Sequence, residues 1–252
     1  MRQVLVTGGA QGIGRAITLR YLEEGHSVLA LDKNEAALGA LVKELKPRAR
    51  KRLTVCSVDL ARPDFVATVE EQVGAVFKAT RVLVNNAGYG GPFETLDKVE
   101  DATFNAVFDI NVRALFALSR YLLPSMKKDK FGRIVNIASV QGLVGSPGSS
   151  TYVASKHAVI GYTRAIAAEW GAYGITCNAV CPGYIDTAMG AGQANAMLKD
   201  YQRRVKARTP TGVTGLPDDV ARMVVELSRD ENRYINGAVL TIDGGISASL
   251  GL

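Results

Sequence analysis

Histidine and cysteine are scarce: the 252 residues contain two of the first and three of the second. None of them stands in a cluster with metal-ligand spacing, so no metal centre is expected. The cysteines, Cys56, Cys177 and Cys181, are odd in number and sit in apolar runs. They read as reduced, buried thiols and exclude a disulfide framework. Long hydrophobic runs are missing too, and no stretch approaches a membrane span. Arg2 is followed at once by a short apolar run and a glycine turn, with no extended apolar leader or cleavage site. The expected setting is the cytoplasm, with no membrane partner. A strong charge of one sign is also lacking. Lys plus Arg is 30 against 24 Asp plus Glu, a net +6 that could help attract anionic substrates. The basic residues are scattered and not interleaved with aromatics, so no nucleic-acid partner is expected. With no linker, repeat or low-complexity segment, residues 1–252 read as a single domain long enough for a full core.

What is present is a steady alternation of short apolar runs and helical stretches. Strands are expected at Gln3–Thr7, Ser27–Leu31, Leu53–Val58, Val82–Asn85, Arg133–Ala138, Thr176–Cys181 and Ala238–Ile242. Helices are expected near Gly12–Glu24, Glu35–Lys46, Pro63–Phe77, Thr103–Met126, Thr151–Gly171 and Pro217–Ser228. The strands are rich in Val, Ile and Leu with little polar alternation, as when both faces of a sheet are covered. This pattern predicts an α/β fold, a doubly wound, seven-stranded parallel sheet with helices on both faces and a ligand across the carboxyl ends of the strands. The basic run Lys46–Arg52 reads as a solvated helix end and loop. Residues 184–210, with Gly190, Gly192 and several alanines, read as a helical lid. Lys199, Arg203, Arg204, Lys206 and Arg208, opposed by Asp200, read as its solvated face, the alternative being a patch for carrier phosphates.

Two constellations carry chemistry. In the first, Val4-Leu5-Val6 runs into Thr7-Gly8-Gly9-Ala10-Gln11-Gly12-Ile13-Gly14 and then a helix. A strand, a glycine turn and a helix N-terminus together make a cradle for a pyrophosphate. Eighteen positions after Gly14, Asp32 ends the next strand. A carboxylate there can accept hydrogen bonds from both adenosine ribose hydroxyls and repel a 2′-phosphate. In the second, Tyr152 and Lys156 lie four apart, one helix face, with Ser139 upstream at the end of an apolar run. A cation beside a phenol, whose free pKa is ~10, favours the phenolate and would make a proton donor usable near neutral pH.

Together these pieces resemble the short-chain dehydrogenase/reductase family in its compact, single-domain Rossmann form. The likeness covers nearly the whole chain: Thr7–Gly14, Asp59-Leu60, Asn85-Asn86-Ala87-Gly88, Asn111, Ser139, Tyr152, Lys156, Pro182-Gly183, Thr187 and Ile242-Asp243-Gly244-Gly245. The resemblance implies an oxidoreductase that passes hydride between a nicotinamide and a secondary alcohol/ketone pair. It makes Tyr152 the general acid/base, Lys156 its electrostatic partner and a ligand of the nicotinamide ribose, Ser139 the hydrogen-bond donor to the substrate oxygen, and Asn111 the support of a water that links Lys156 to solvent. Gly8, Gly12 and Gly14 would shape the phosphate turn, with Gln11 and Ile13 bordering it. Asp32 would hold the ribose, Asp59 and Leu60 the adenine. Asn86, Ala87 and Gly88 would floor the site, and Pro182, Gly183, Ile185 and Thr187 would wrap the nicotinamide. Gln11 and Asp32 point to NAD(H) over NADP(H), with Lys33 the dissenting residue. Family members assemble as dimers or tetramers through two long helices, here Thr103–Met126 and Thr151–Gly171, so a homotetramer or homodimer is expected. His157 and Trp170 read as structural.

The substrate is less legible. The segments around Ser139, Tyr152 and Tyr184 resemble both the 3-hydroxybutyrate dehydrogenases and the 3-oxoacyl-(acyl-carrier-protein) and acyl-CoA reductases. Against the first, Gln141 stands where a histidine is expected and Ser149 where a lysine would hold a carboxylate. Against the second, Tyr173 replaces an arginine expected to meet an acidic carrier, although Lys127, Lys128 and Lys130 could substitute. The expected substrate is a small-molecule ketone or alcohol, a 3-oxoacyl thioester foremost, contacted by Ser139, Gln141, Tyr152 and Tyr184. The alternatives are a small or cyclic hydroxy compound of the 3-hydroxybutyrate, diol or hydroxysteroid type, and a dinucleotide-binding regulator without turnover.

Overall fold

The computed structural model describes residues 1–187 and 203–249. The strands are β1 (Gln3–Thr7), β2 (Ser27–Asp32), β3 (Leu53–Ser57), β4 (Thr80–Asn85), β5 (Gly132–Ile137), β6 (Ile175–Pro182) and β7 (Val239–Ile242). They form one seven-stranded sheet in the order β3-β2-β1-β4-β5-β6-β7, every neighbouring pair parallel. The chain runs outward from β1 to β3, then returns to place β4 against the other side of β1. That reversal opens the crevice in which this class of sheet binds its ligands.

Helices cover both faces. They are α1 (Gly12–Glu23), α2 (Glu35–Glu44), α3 (Pro47–Arg50), α4 (Phe65–Lys78), α5 (Asp101–Phe108), α6 (Ala114–Lys128), α7 (Ser150–Trp170) and α8 (Pro217–Leu227). Successive strand side chains point to opposite faces, and both sets are apolar. Val4, Val6, Val28, Val82, Val84 and Val135 pack with Ile17 and Tyr21 of α1 and Val220 and Val224 of α8. Leu5, Leu29, Leu83, Ile134 and Cys177 pack on the other side with Phe65 of α4, Leu118 and Leu122 of α6 and Ile166 of α7. This is why the strands carry unbroken Val/Ile/Leu runs.

Two expectations change. The helix expected over Thr103–Met126 is two helices joined by a π turn, Asp109–Arg113, in which the Ala114 amide donates to the Asp109 carbonyl. Apolar spacing runs on through such a one-turn widening, so it leaves no mark in the sequence. The Lys46–Arg52 run is partly helical: Pro47 opens α3, and Arg50 donates to the Lys43 and Leu45 carbonyls at the end of α2. Of the expected lid, 188–202 lies outside the described residues, and with it Gly190, Gly192, Lys199 and Asp200. Residues 203–208 are helical.

Candidate active site

The carboxyl ends of the strands gather the residues singled out above. The glycine turn follows β1, Asp32 ends β2, Asp59-Leu60 follows β3, Asn86–Gly88 follows β4, Ser139 follows β5 and Pro182–Thr187 leaves β6. Helix α7 brings Tyr152 and Lys156 up beside Ser139, and the π turn brings Asn111.

The first half of this site fits a dinucleotide. Helix α1 begins without a side-chain cap and with no acidic residue in its first turn. By contrast, Asn34 caps α2 through the Ala37 amide at 3.0 Å, and Asp219 closes α8 through the Leu216 amide at 2.8 Å. The free amides of α1 are what an anion would use. Gly14 is obligatory, because a Cβ there would overlap the Gly8 carbonyl oxygen. Thr187 stands across the turn, its methyl 3.5 Å from where a Gly12 Cβ would lie. Asp32 is partly exposed, accepting from the amides of Ala10 at 3.1 Å and Asn34 at 3.0 Å. Gln11 is exposed and accepts from the Asn34 side chain at 3.4 Å. The turn is tied to β4 by Thr7, whose hydroxyl accepts from the Asn86 and Ala87 amides, both at 2.9 Å. Asn86 returns the tie through its side chain to the Thr7 carbonyl at 2.9 Å.

Three expected cofactor contacts look elsewhere. Leu60 is buried in the core beside Phe65 and Val69, so only its backbone could meet a base. Ile185 and Ile13 pack on the cluster beneath α1 and α8, and Ile185 also lies against Gly215, with which it forms a parallel bridge. Asp59 is exposed and accepts from the Ala61 amide at 2.9 Å. Gly183 is held by the Ile242 carbonyl at 2.9 Å, which places the chain leaving β6 over the end of β7.

In the second half, the Ser139 hydroxyl lies near enough to the Tyr152 phenol to draw its pKa down, and accepts from the Gln141 amide at 3.1 Å. The Lys156 amine is 5.5 Å from the centre of the Tyr152 ring and donates to the Ile137 carbonyl at 2.8 Å. Gly88 leaves space there; a Cβ would come 3.5 Å from both Lys156 Nζ and Asn111 Oδ1. Asn111 is buried. It accepts from the Tyr89 amide at 2.8 Å and donates to the Tyr89 carbonyl at 3.1 Å and to Ser155 Oγ at 2.9 Å. Ser155 in turn donates to the Tyr152 carbonyl at 2.8 Å, so Asn111 braces the helix turn that carries the phenol. A cavity of about 10 Å³, room for one water, is bordered by Thr7, Asn85, Ala87, Asn111 and Ile137.

The phenol is not acidified as expected. Burial pushes Tyr152 up to about 12, with the Ser139 hydroxyl pulling it down and Cys181 pushing it further up. Burial also brings Lys156 down to about 8. Desolvation disfavours the charged form of each group, and it is the largest cause of both shifts. Gln141 donates to Ser146 at 3.4 Å, and among the described residues its buried Oε1 has no hydrogen-bond partner. Tyr184 is half-buried and its carbonyl accepts from the Gly215 amide at 3.0 Å. His157 is exposed and sits 2.9 Å from the Val153 carbonyl, facing away from the site. Trp170 packs at the margin of the core beside Tyr173. Thr7, Ser155 and Cys181 carry no site role in the sequence reading. A threonine before a glycine turn and a serine three after the tyrosine are too common to signal a role.

A parallel sheet with this strand order and a Ser–Tyr–Lys cluster at its carboxyl edge defines a dinucleotide-binding oxidoreductase class. The family model described as enoyl-(acyl carrier protein) reductase matches residues 8–247. The 3-oxoacyl-[acyl-carrier-protein] reductase of Thermotoga maritima is 36% identical over 242 residues, 96% of each chain. The 3β-hydroxysteroid dehydrogenase 2 of Eggerthella lenta is 35% identical over 250 residues, covering 97% of this chain and 94% of that one. A solved oxidoreductase of the short-chain dehydrogenase/reductase family from Burkholderia thailandensis superposes with a TM-score of 0.89 at 33% identity, over 98% of this chain and 93% of that one. The chain belongs to the short-chain dehydrogenase/reductase family of oxidoreductases, whose members bind a nicotinamide dinucleotide. Among the described residues, no helix is long and apolar enough to cross a membrane.

Proposed function

We propose that this protein is an NAD(H)-dependent reductase of 3-oxoacyl thioesters, working in the cytoplasm as a homodimer or homotetramer. The observation that carries the reading is the placing of Ser139 beside the Tyr152 phenol, with the Lys156 amine 5.5 Å from the centre of that ring, at the edge of the sheet where the uncapped α1 begins. The dinucleotide, when bound, supplies or accepts the hydride. The protein's own residues handle the oxygen. Ser139 donates a hydrogen bond to the substrate carbonyl, and Tyr152 passes its phenolic proton to the oxygen as negative charge develops there. A phenol pushed up to about 12 is protonated at neutral pH and so holds the proton to be donated. Lys156 offers its ammonium to the nicotinamide ribose and to the phenolate that donation leaves. The proton that Lys156 passes to that phenolate would be returned to it through a water supported by Asn111.

The glycine turn, Gln11, Asp32, Asp59, the backbones of Ile13, Leu60 and Ile185, Asn86–Gly88, and Pro182, Gly183 and Thr187 bind the dinucleotide. Asp32 selects NADH by meeting the ribose hydroxyls with a carboxylate. Gln141, whose buried Oε1 has no hydrogen-bond partner among the described residues, and Tyr184 contact the substrate. Assembly is supported by Phe116 and Tyr162, exposed rings 6.1 Å apart on α6 and α7.

The test is a screen of 3-oxoacyl thioesters, acetoacetate, diketones, cyclic ketones and steroids with both reduced cofactors. Thioester-dependent oxidation of NADH is expected. Turnover of cyclic ketones or steroids alone would move the substrate to the hydroxysteroid class; reduction of none of the ketones would leave a binding protein. NADPH used as well as NADH would defeat the ribose argument. If that argument holds, Asp32→Ala relaxes the cofactor choice.

A further inference from the structure

A groove runs along Tyr152 between the segment after β4 and the segment that enters α7. Glu94, Val99, Val107, Gly148, Ser149 and Tyr152 are among its lining residues, and Glu94 is the one acidic or basic residue of that lining among the described residues. Its place is fixed by a bolt between the two segments. The Glu94 amide donates to the Gly148 carbonyl at 3.0 Å. Beside it the Phe93 ring covers Gly148, which has φ +72° and where a Cβ would lie 2.9 Å from that ring. A side chain at 148 would break the bolt. Among the described residues no cation pairs with the Glu94 carboxylate, which is half-buried. The two bordering segments also expose apolar side chains: Phe93, 64% exposed, Tyr89 and Leu96 on one, Leu143 and Val144 on the other. Such a rim favours an apolar chain. An unpaired carboxylate within it opposes an incoming anion more strongly than it would in open water.

We propose that Glu94 is a specificity-determining residue: it bars carboxylate-bearing ketones from the Tyr152 groove and leaves that groove to uncharged ketones with an apolar chain, oxo esters and thioesters in place of free oxo acids. The proposal rests on the reading of Tyr152 as the centre of a ketone-reducing site. It uses a repulsive element as the discriminating one.

The experiment compares ethyl 3-oxohexanoate with sodium 3-oxohexanoate, the same chain with and without the charge, by kcat/KM in the parent protein, Glu94→Gln and Glu94→Lys. The parent is expected to favour the ester by about 100-fold, and Glu94→Gln to cut that ratio about tenfold, with a larger cut in Glu94→Lys. Equal use of acid and ester by the parent, or a ratio unchanged in both variants, overturns the proposal while ketone reduction stands. If the parent reduces neither compound with either cofactor, the reductase reading fails for this chain length. The Glu94 assignment is then read from calorimetric binding of sodium 3-oxohexanoate to the cofactor-loaded protein. Binding tightened about tenfold by Glu94→Gln upholds it, and unchanged binding overturns it.

Discussion

At the scale of single residues, two buried groups set the pH behaviour. Lys156 titrates near 8 in the folded protein against 10.5 for the free side chain. Between those values the unfolded chain holds more protons, so the residue's contribution to stability rises with pH. Below pH 8 the cost of the buried ammonium is present in full. Urea unfolding should therefore show the parent gaining on Lys156→Met as pH is raised through 8; a constant difference would contradict it. Activity has the opposite slope. With the phenol protonated up to about 12, the alkaline fall in kcat/KM for ketone reduction should centre near pH 8, where Lys156 loses its charge. A profile flat to the range of the tyrosine would deny Lys156 this role. Ser139→Ala should lower kcat by about 10²- to 10³-fold with cofactor affinity kept, as for loss of one donor to a developing oxyanion.

At the scale of elements, the site depends on ties between segments distant in sequence. Thr7 holds the turn after β4 through two amides, and Thr7→Val would strand both. The expected loss is about 1–3 kcal/mol in urea unfolding, with weaker dinucleotide binding; unchanged stability would mean that water replaces the hydroxyl. The strands were legible because Val/Ile/Leu runs bounded by glycine, proline and asparagine have few other uses in a chain of this composition. The candidate site was legible as a set of positions, since turns after strands must lie at one edge of a parallel sheet. Side-chain direction was not. Leu60 and Ile185 sit in site loops yet turn into the core, because apolar area buried there outweighs any contact with a ligand. The π turn at Asp109–Arg113 was hidden for a related reason: one extra residue in a helix leaves the apolar stripe in place.

At the scale of the whole molecule, the order β3-β2-β1-β4-β5-β6-β7 divides the work. The strands β1 to β3 carry the turn, Asp32 and Asp59 that would meet the dinucleotide. Those from β4 to β6 carry the residues that would handle the substrate oxygen. The tyrosine's high pKa belongs to this scale also, and no pair spacing could reveal it. It follows from the depth at which α7 is packed against β5 and β6, a sum over many residues. The sequence showed a cation four residues from a phenol; the fold buries the cation and half-buries the phenol, and desolvation is the largest cause of both shifts.

The role of Tyr152 as proton donor is tested most directly by Tyr152→Phe, which removes one hydroxyl. Reduced-cofactor binding, followed by nicotinamide fluorescence, should match the parent, while single-turnover hydride transfer to a ketone should fall by about 10²- to 10⁴-fold. Hydride transfer at the parent's rate, with the cofactor bound as tightly, would show that the proton comes from elsewhere.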